Sequence, residues 1–144
     1  MGSDRAHRHA AVAIAFAALL AGCSRVPAVR VEDAWIRPVE AGQTTAAYFT
    51  LVNDSPDTLV LVGVDVPIAK MSMMHETVKV EGMMTMREKD RFAVAPHAKL
   101  LFKPGGNHVM AMDAVVGVAE GDTTGLELRF ANGRSLHATA KVHS

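Results

Sequence analysis

The sequence predicts an all-β domain, an antiparallel β-sandwich or Greek-key barrel. From Val29 onward no stretch of helical length carries a 3.6-residue period. Short apolar and β-branched runs recur instead, punctuated at close spacing by glycine, proline and asparagine. In chain order, strands are expected over residues 29–36, 45–52 and 58–66. In the third, Leu59 and Leu61 alternate with Val60 and Val62, so both faces are apolar, as in a sandwich core. Pro56 and Pro67 bracket that segment, where a missing amide donor does least harm. Strands at 72–80 and 84–88 flank a hairpin turn at Glu81-Gly82. Short strands at 92–94 and 99–103 follow, separated by Pro96 and closed by Pro104. Pro104-Gly105-Gly106-Asn107 then supplies the turn that aims a strand at 108–115. The last two strands, 125–130 and 135–142, flank Asn132-Gly133. That pair is the strongest hairpin signal in the chain, because a type I′ turn needs positive φ at both central positions.

The 144 residues accommodate one domain with a substantial core. Fifteen basic and fifteen acidic residues give a formal charge of zero, with no charge block and no phosphate-cradling glycine loop. Nucleic-acid and nucleotide binding are therefore not expected. Residues 1–22 read as an export signal: Arg5 and Arg8 precede an apolar run from Ala10 to Ala21 that is too short to span a bilayer. The run ends in Leu20-Ala21-Gly22-Cys23, which resembles the lipobox of bacterial lipoproteins. That resemblance implies lipidation of Cys23, a tether over 23–28 and an extracytoplasmic, membrane-anchored domain over 29–144. Cys23 is the only cysteine. It leaves no intramolecular disulfide, no thiolate for a blue-copper centre inside the domain and no Cys-x-x-Cys carrier motif.

Eight of the nine methionines fall between Met71 and Met112. Within that stretch His75, Met86, His108 and Met110 are spaced His-x10-Met-x21-His-x-Met. Thioether sulfur suits Cu(I) and is a poor ligand for zinc, calcium or magnesium, while imidazole serves copper readily. Two of each point to Cu(I). A two-residue turn at Glu81-Gly82 would set Met86 opposite Thr77, with His75 diagonal to it on the same face. His108 and Met110 are i and i+2, so their side chains also leave by one face. Elsewhere a methionine in a β-protein is more often a core gap-filler, and that is the expectation for Met71, Met73, Met74, Met83, Met84 and Met112. Met112 shares the face of His108 and Met110 and is placed to line the site. Trp35 and Tyr48 read as core aromatics. Glu76 points to the face opposite His75. His97 reads as a turn residue, and His137 with His143 makes a weaker candidate for a separate Cu(II) site.

The spacing, together with Met73-Met74-His75-Glu76-Thr77, Met84-Thr85-Met86-Arg87 and the run Lys103-Pro104-Gly105-Gly106-Asn107-His108-Val109-Met110, resembles the periplasmic copper chaperone family called PCuAC. The resemblance covers roughly residues 29–142. It implies a cupredoxin-like or immunoglobulin-like sandwich and a Cu(I) site at His75, Met86, His108 and Met110. It also implies a monomeric carrier that is not an enzyme. The implied recipient is the copper subunit of cytochrome c oxidase, at its CuA site, or another periplasmic copper carrier. The same ligands also suit copper or silver sequestration. No nucleophile–base pair and no His-Glu-x-x-His spacing is present to support an enzyme.

Overall fold

The computed structural model describes residues 27–144, so the export signal and Cys23 lie outside the described residues. Ten strands follow in order: β1 (Val29–Ile36), β2 (Thr45–Asn53), β3 (Leu59–Asp65), β4 (Ala69–Val80), β5 (Met83–Glu88), β6 (Phe92–Val94), β7 (Ala98–Phe102), β8 (His108–Ala114), β9 (Thr123–Phe130) and β10 (Ser135–Val142). They pair in the order β5-β4-β8-β2-β1-β10-β9-β3-β6, with β7 also on β2. Every pairing is antiparallel except β1 with β10. The sheet folds over on itself, bringing β3 against β4 and β6 against β7. One core fills the interior, with Phe49, Leu51, Leu61, Val109, Leu126 and Leu128 all at most 1% exposed. Phe102 stacks on Phe49 at 4.4 Å and takes Phe92 at a 60° tilt. Full burial of each such side chain stabilises the fold by about 1.5–3 kcal/mol.

The hairpin expected at Glu81-Gly82 forms, and the turn at Asn132-Gly133 differs from expectation in an instructive way. Glu81 (φ 49°) and Gly82 (φ 85°) both occupy the left-handed region, so the type I′ hairpin is the one joining β4 and β5. At the other hairpin only Gly133 has positive φ (84°). Gly133 N–H donates to Phe130 O and Phe130 N–H to Arg134 O, giving a type I turn closed by a glycine bulge. The Asn132 side chain accepts from Arg134 N–H, which holds that longer turn.

A second difference is the path of β1. Its pairing with β2 slips by one residue between Glu32 and Trp35, where Asp33 adopts φ 52°. Such a bulge flips every later side chain to the other face. Ile36 thereby enters the core at 0% exposure, and Trp35 is carried to the outer face, half-buried beside Tyr48. Trp35 thus stays outside the core, whereas Tyr48 is buried as expected, at 6% exposure.

Asn53, at the end of β2, is fully buried, although no local pattern marks it. Its Nδ2 donates to Asp57 O, Val94 O and Ala95 O at 2.9–3.1 Å, and its Oδ1 accepts from Ser55 N–H and Oγ–H. One amide thus pins β2 to the end of β6. Asn53→Ala is expected to cost about 2–4 kcal/mol, since it strands buried carbonyls without a donor. Urea unfolding of the variant checks this, and a loss under about 1 kcal/mol would contradict it.

Candidate metal centre

The site is built on one face of three adjacent strands. Residues of β4 and β8 pair as Met71 with Met112, Met73 with Met110 and His75 with His108. β5 adds Met86 opposite Thr77 and Met84 opposite Lys79. Between these positions, Met74, Val109 and Ala111 point the other way into the core. Of the methionines expected to fill the core, only Met74 does so, at 4% exposure. Met71, Met83 and Met84 are 56%, 70% and 64% exposed, and Met73 and Met112 are half-buried. Alternation along β4 and β8 explains Met71, Met73 and Met112, which share the outward face of His75 and His108, while Met83 and Met84 lie on β5, every residue of which is exposed.

His108 is 7% exposed and its Nδ1 lies 3.1 Å from Gly106 O. With Nδ1–H donating to that carbonyl, Nε2 carries the lone pair that a metal needs. The carbonyl also accepts from Thr77 Oγ1 at 3.0 Å, tying the loop to β4. Gly105 makes that loop possible: Gly106 N–H donates to Lys103 O and Gly105 takes φ 79°, a type II turn with Pro104 in its first central position. The His75 ring lies parallel to that of His108, 5.5 Å between centroids and 11° between planes. His75 Nδ1 is buried with no hydrogen-bond partner among the described residues. An orphaned ring nitrogen beside a ring of fixed tautomer is a polar atom waiting for an electrophile.

Met86, Met110 and His108 line one concavity of about 550 Å³, together with Met84, Tyr48 and Arg37. His75 does not line it and instead faces His108 from the next strand. Ala46, paired with Met110 on β2, keeps the space beside that thioether open. Met86 is 63% exposed, so the donor set runs from a buried imidazole to an open thioether. Among the described residues, no group of three or more His, Cys, Asp or Glu side chains is placed to hold a metal ion. The donors that do gather are neutral and soft, which fits a monovalent soft cation and not a hard divalent one.

Arg37 and Tyr48 were not expected here. The Arg37 guanidinium lies 5.8 Å from the Tyr48 ring and 6.0 Å from the Trp35 ring, and Trp35 stacks in turn on His143 at 4.4 Å. The bulge in β1 creates this aromatic ladder, and strict alternation gives no sign of it. His143 is thereby engaged with Trp35, while His137 lies six residues earlier on β10, about 20 Å away along an extended strand. The two do not come together as a Cu(II) site.

On the opposite face of β4, Glu76 accepts from Arg87 Nε at 2.7 Å and Lys89 Nζ at 3.0 Å. It clamps β5, which carries Met86, against β4. The bonds from Lys89 and then Arg87 hold its carboxyl below the ordinary value of 4.5. A depressed carboxylate contributes stability that is fully present above its unfolded value and lost as pH falls through the lower folded one. Glu76→Gln is expected to lower the unfolding midpoint at neutral pH, with the gap to wild type closing as the medium is acidified below about pH 4.5. Thermal melts across that range check it, and a gap independent of pH would contradict the clamp.

The profile of the family described as "Putative lipoprotein LpqE-like" matches residues 29–142. The "Putative lipoprotein Lxx21020" of Leifsonia xyli subsp. xyli (strain CTCB07) is 33% identical over 115 residues, covering 79% of this chain and 69% of that protein. The protein RP573 of Rickettsia prowazekii (strain Madrid E) is 30% identical over 100 residues, and the alignment spans 66% of this chain and 55% of that one. Among solved structures, the solution structure of CuI-DR1885 from Deinococcus radiodurans superposes with a TM-score of 0.65 at 31% identity, over 88% of this chain and 85% of that one. The copper-bound PCuAC domain from PmoF2 superposes at 0.66 with 21% identity, over 83% and 96%, which establishes a common fold.

Proposed function

The chain belongs to the LpqE-like family, and from that premise we propose that it is an extracytoplasmic Cu(I) carrier whose cargo is held by His75, Met86, His108 and Met110. The observation that carries this reading is the pairing of a buried imidazole of fixed tautomer, His108, with thioethers that open to solvent, Met110 and Met86. Likeness to a CuI-bound protein of the same fold supports it. The ligands are all neutral, so the ion keeps its single positive charge. An incoming thiolate enters beside the exposed Met86, and because thiolates bind Cu(I) more strongly the ion passes downhill by ligand exchange. The proposed recipient is the CuA centre of cytochrome c oxidase. No redox chemistry by the carrier is needed. A deletion strain that loses oxidase activity at low copper supports delivery; one that only loses growth at high copper supports sequestration instead.

X-ray absorption of the protein loaded with one equivalent of Cu(I) is expected to show two sulfur and two nitrogen scatterers, and a shell without sulfur would refute the assignment. We further propose that Cys23 is lipidated after removal of residues 1–22, with 29–144 forming the copper-binding domain. Cys23→Ser is then expected to release the domain from membranes with copper binding intact. Fractionation checks it, and a wild-type protein found wholly in the soluble fraction would overturn it.

A further inference from the structure

The proposed site leaves part of its own face unused. A sandwich strand with one face in the core ordinarily carries polar residues on the other. Thr77 and Lys79 on β4 and Glu88 on β5 follow that rule, whereas Met86 and Met84, opposite the first two, do not. Where β4 meets β8 it fails: the outward positions are Met71, Met73 and His75, facing Met112, Met110 and His108. These form three like pairs in a row, and only the histidine pair and Met110 are used above.

Solvent-facing methionines cost apolar exposure without contributing to the core, and Met71 is 56% exposed. Directly opposed residues on antiparallel strands hold their Cβ atoms about 4.5–5.5 Å apart, and diagonal neighbours about 7–8 Å. The three rotatable bonds of methionine let sulfur cover such spans. Met71 and Met112 are directly opposed, and Met73 is diagonal to Met112. Three thioethers can therefore converge on one point at the far end of the ladder from His75. Lys70 and Asp113, the charged residues next to this pair in sequence, neutralise each other at 2.7 Å, so no free carboxylate there invites a hard cation.

We infer that Met71, Met73 and Met112 form a second site, for a soft monovalent cation held by thioethers alone. Neutral sulfur ligands select Cu(I) or Ag(I) over zinc, calcium or magnesium. The site shares no ligand with the first, so the chain takes up two ions. Lacking imidazole, the second is the weaker and the more readily exchanged.

The test is an Ag(I) titration of the exported chain, followed through the ε-methyl NMR signals of its methionines. Two equivalents are expected, the first moving Met86 and Met110 and the second moving Met71, Met73 and Met112. Met71→Leu/Met73→Leu/Met112→Leu, which keeps side-chain size, should bind one equivalent and still move Met86 and Met110. That second observation also shows the variant to be folded. In His75→Ala/Met86→Leu, the methyls of Met71, Met73 and Met112 should still move with the first equivalent. A wild-type protein that saturates at one equivalent with Met86 and Met110 moving, whether or not the other three methyls shift as well, overturns the second site. Movement of Met71, Met73 and Met112 without Met86 and Met110 would instead overturn the first site and leave the second standing.

Discussion

Replacing His108 with alanine is expected to lower Cu(I) affinity by more than about a hundredfold, since losing even a partner that merely orients a ligand costs about 10–100-fold. His108 is both a proposed donor and the residue whose tautomer the Gly106 carbonyl fixes. His75→Ala should act in the same direction, because it removes a ring, stacked beside that of His108, whose buried Nδ1 has no partner among the described residues. The two kinds of ligand separate by pH. Imidazole must shed its proton to bind metal, whereas a thioether has none to lose. Affinity of the wild type should therefore weaken as the medium is taken from about pH 8 to about pH 5, with up to two protons competing per ion. Met86→Ile and Met110→Ile should lower affinity at every pH and keep that slope. Each histidine variant should lose about one proton of it. Cu(I) competition titrations on the four variants decide the matter. Histidine variants that retain the full wild-type slope would mean that other nitrogens hold the ion.

Most of the architecture is legible in the chain because short strands with breaker residues leave little choice of fold class. All ten strands lie where alternation and turn residues place them, β1, β6 and β10 to the residue. The hairpin register follows from a two-residue turn, so Thr77 faces Met86 as the sequence requires. What escaped were features set by tertiary pairing. The bulge at Asp33 moves Trp35 to the outer face, and period-2 reasoning cannot see an inserted residue. Asn132-Gly133 carries the dipeptide of a type I′ turn, yet Phe130 pairs with Arg134 and the longer loop wins. Apolarity alone points the methionines to the core, whereas parity along β4 and β8 sends Met71, Met73 and Met112 outward, and Met83 and Met84 lie on the exposed edge strand β5. The meeting of His75 with His108 depends on β4 lying beside β8, a long-range pairing that no local pattern specifies.

Loading the proposed site should stabilise the whole domain by about 4 kcal/mol when free Ag(I) or Cu(I) stands at a thousand times its Kd. The effect should be most visible in β5. Every residue of that strand is exposed, and among the described residues it ends the strand order with β4 as its only pairing partner. In the metal-free protein its amides can therefore exchange through a local opening that leaves β8 and the core intact. An ion bound at once by Met86 on β5 and by His108 and Met110 on β8 joins two strands that β4 separates. β5 then cannot open without releasing the ion, so its exchange should slow by up to about a thousandfold at that excess. Met86→Ile should abolish the added protection of β5 while leaving the remaining ligands to protect β8. Hydrogen exchange with and without Ag(I), read strand by strand, is the measurement. Protection gained in β8 but not in β5 of the wild type would remove Met86 from the site and place the sulfur ligation elsewhere on the face.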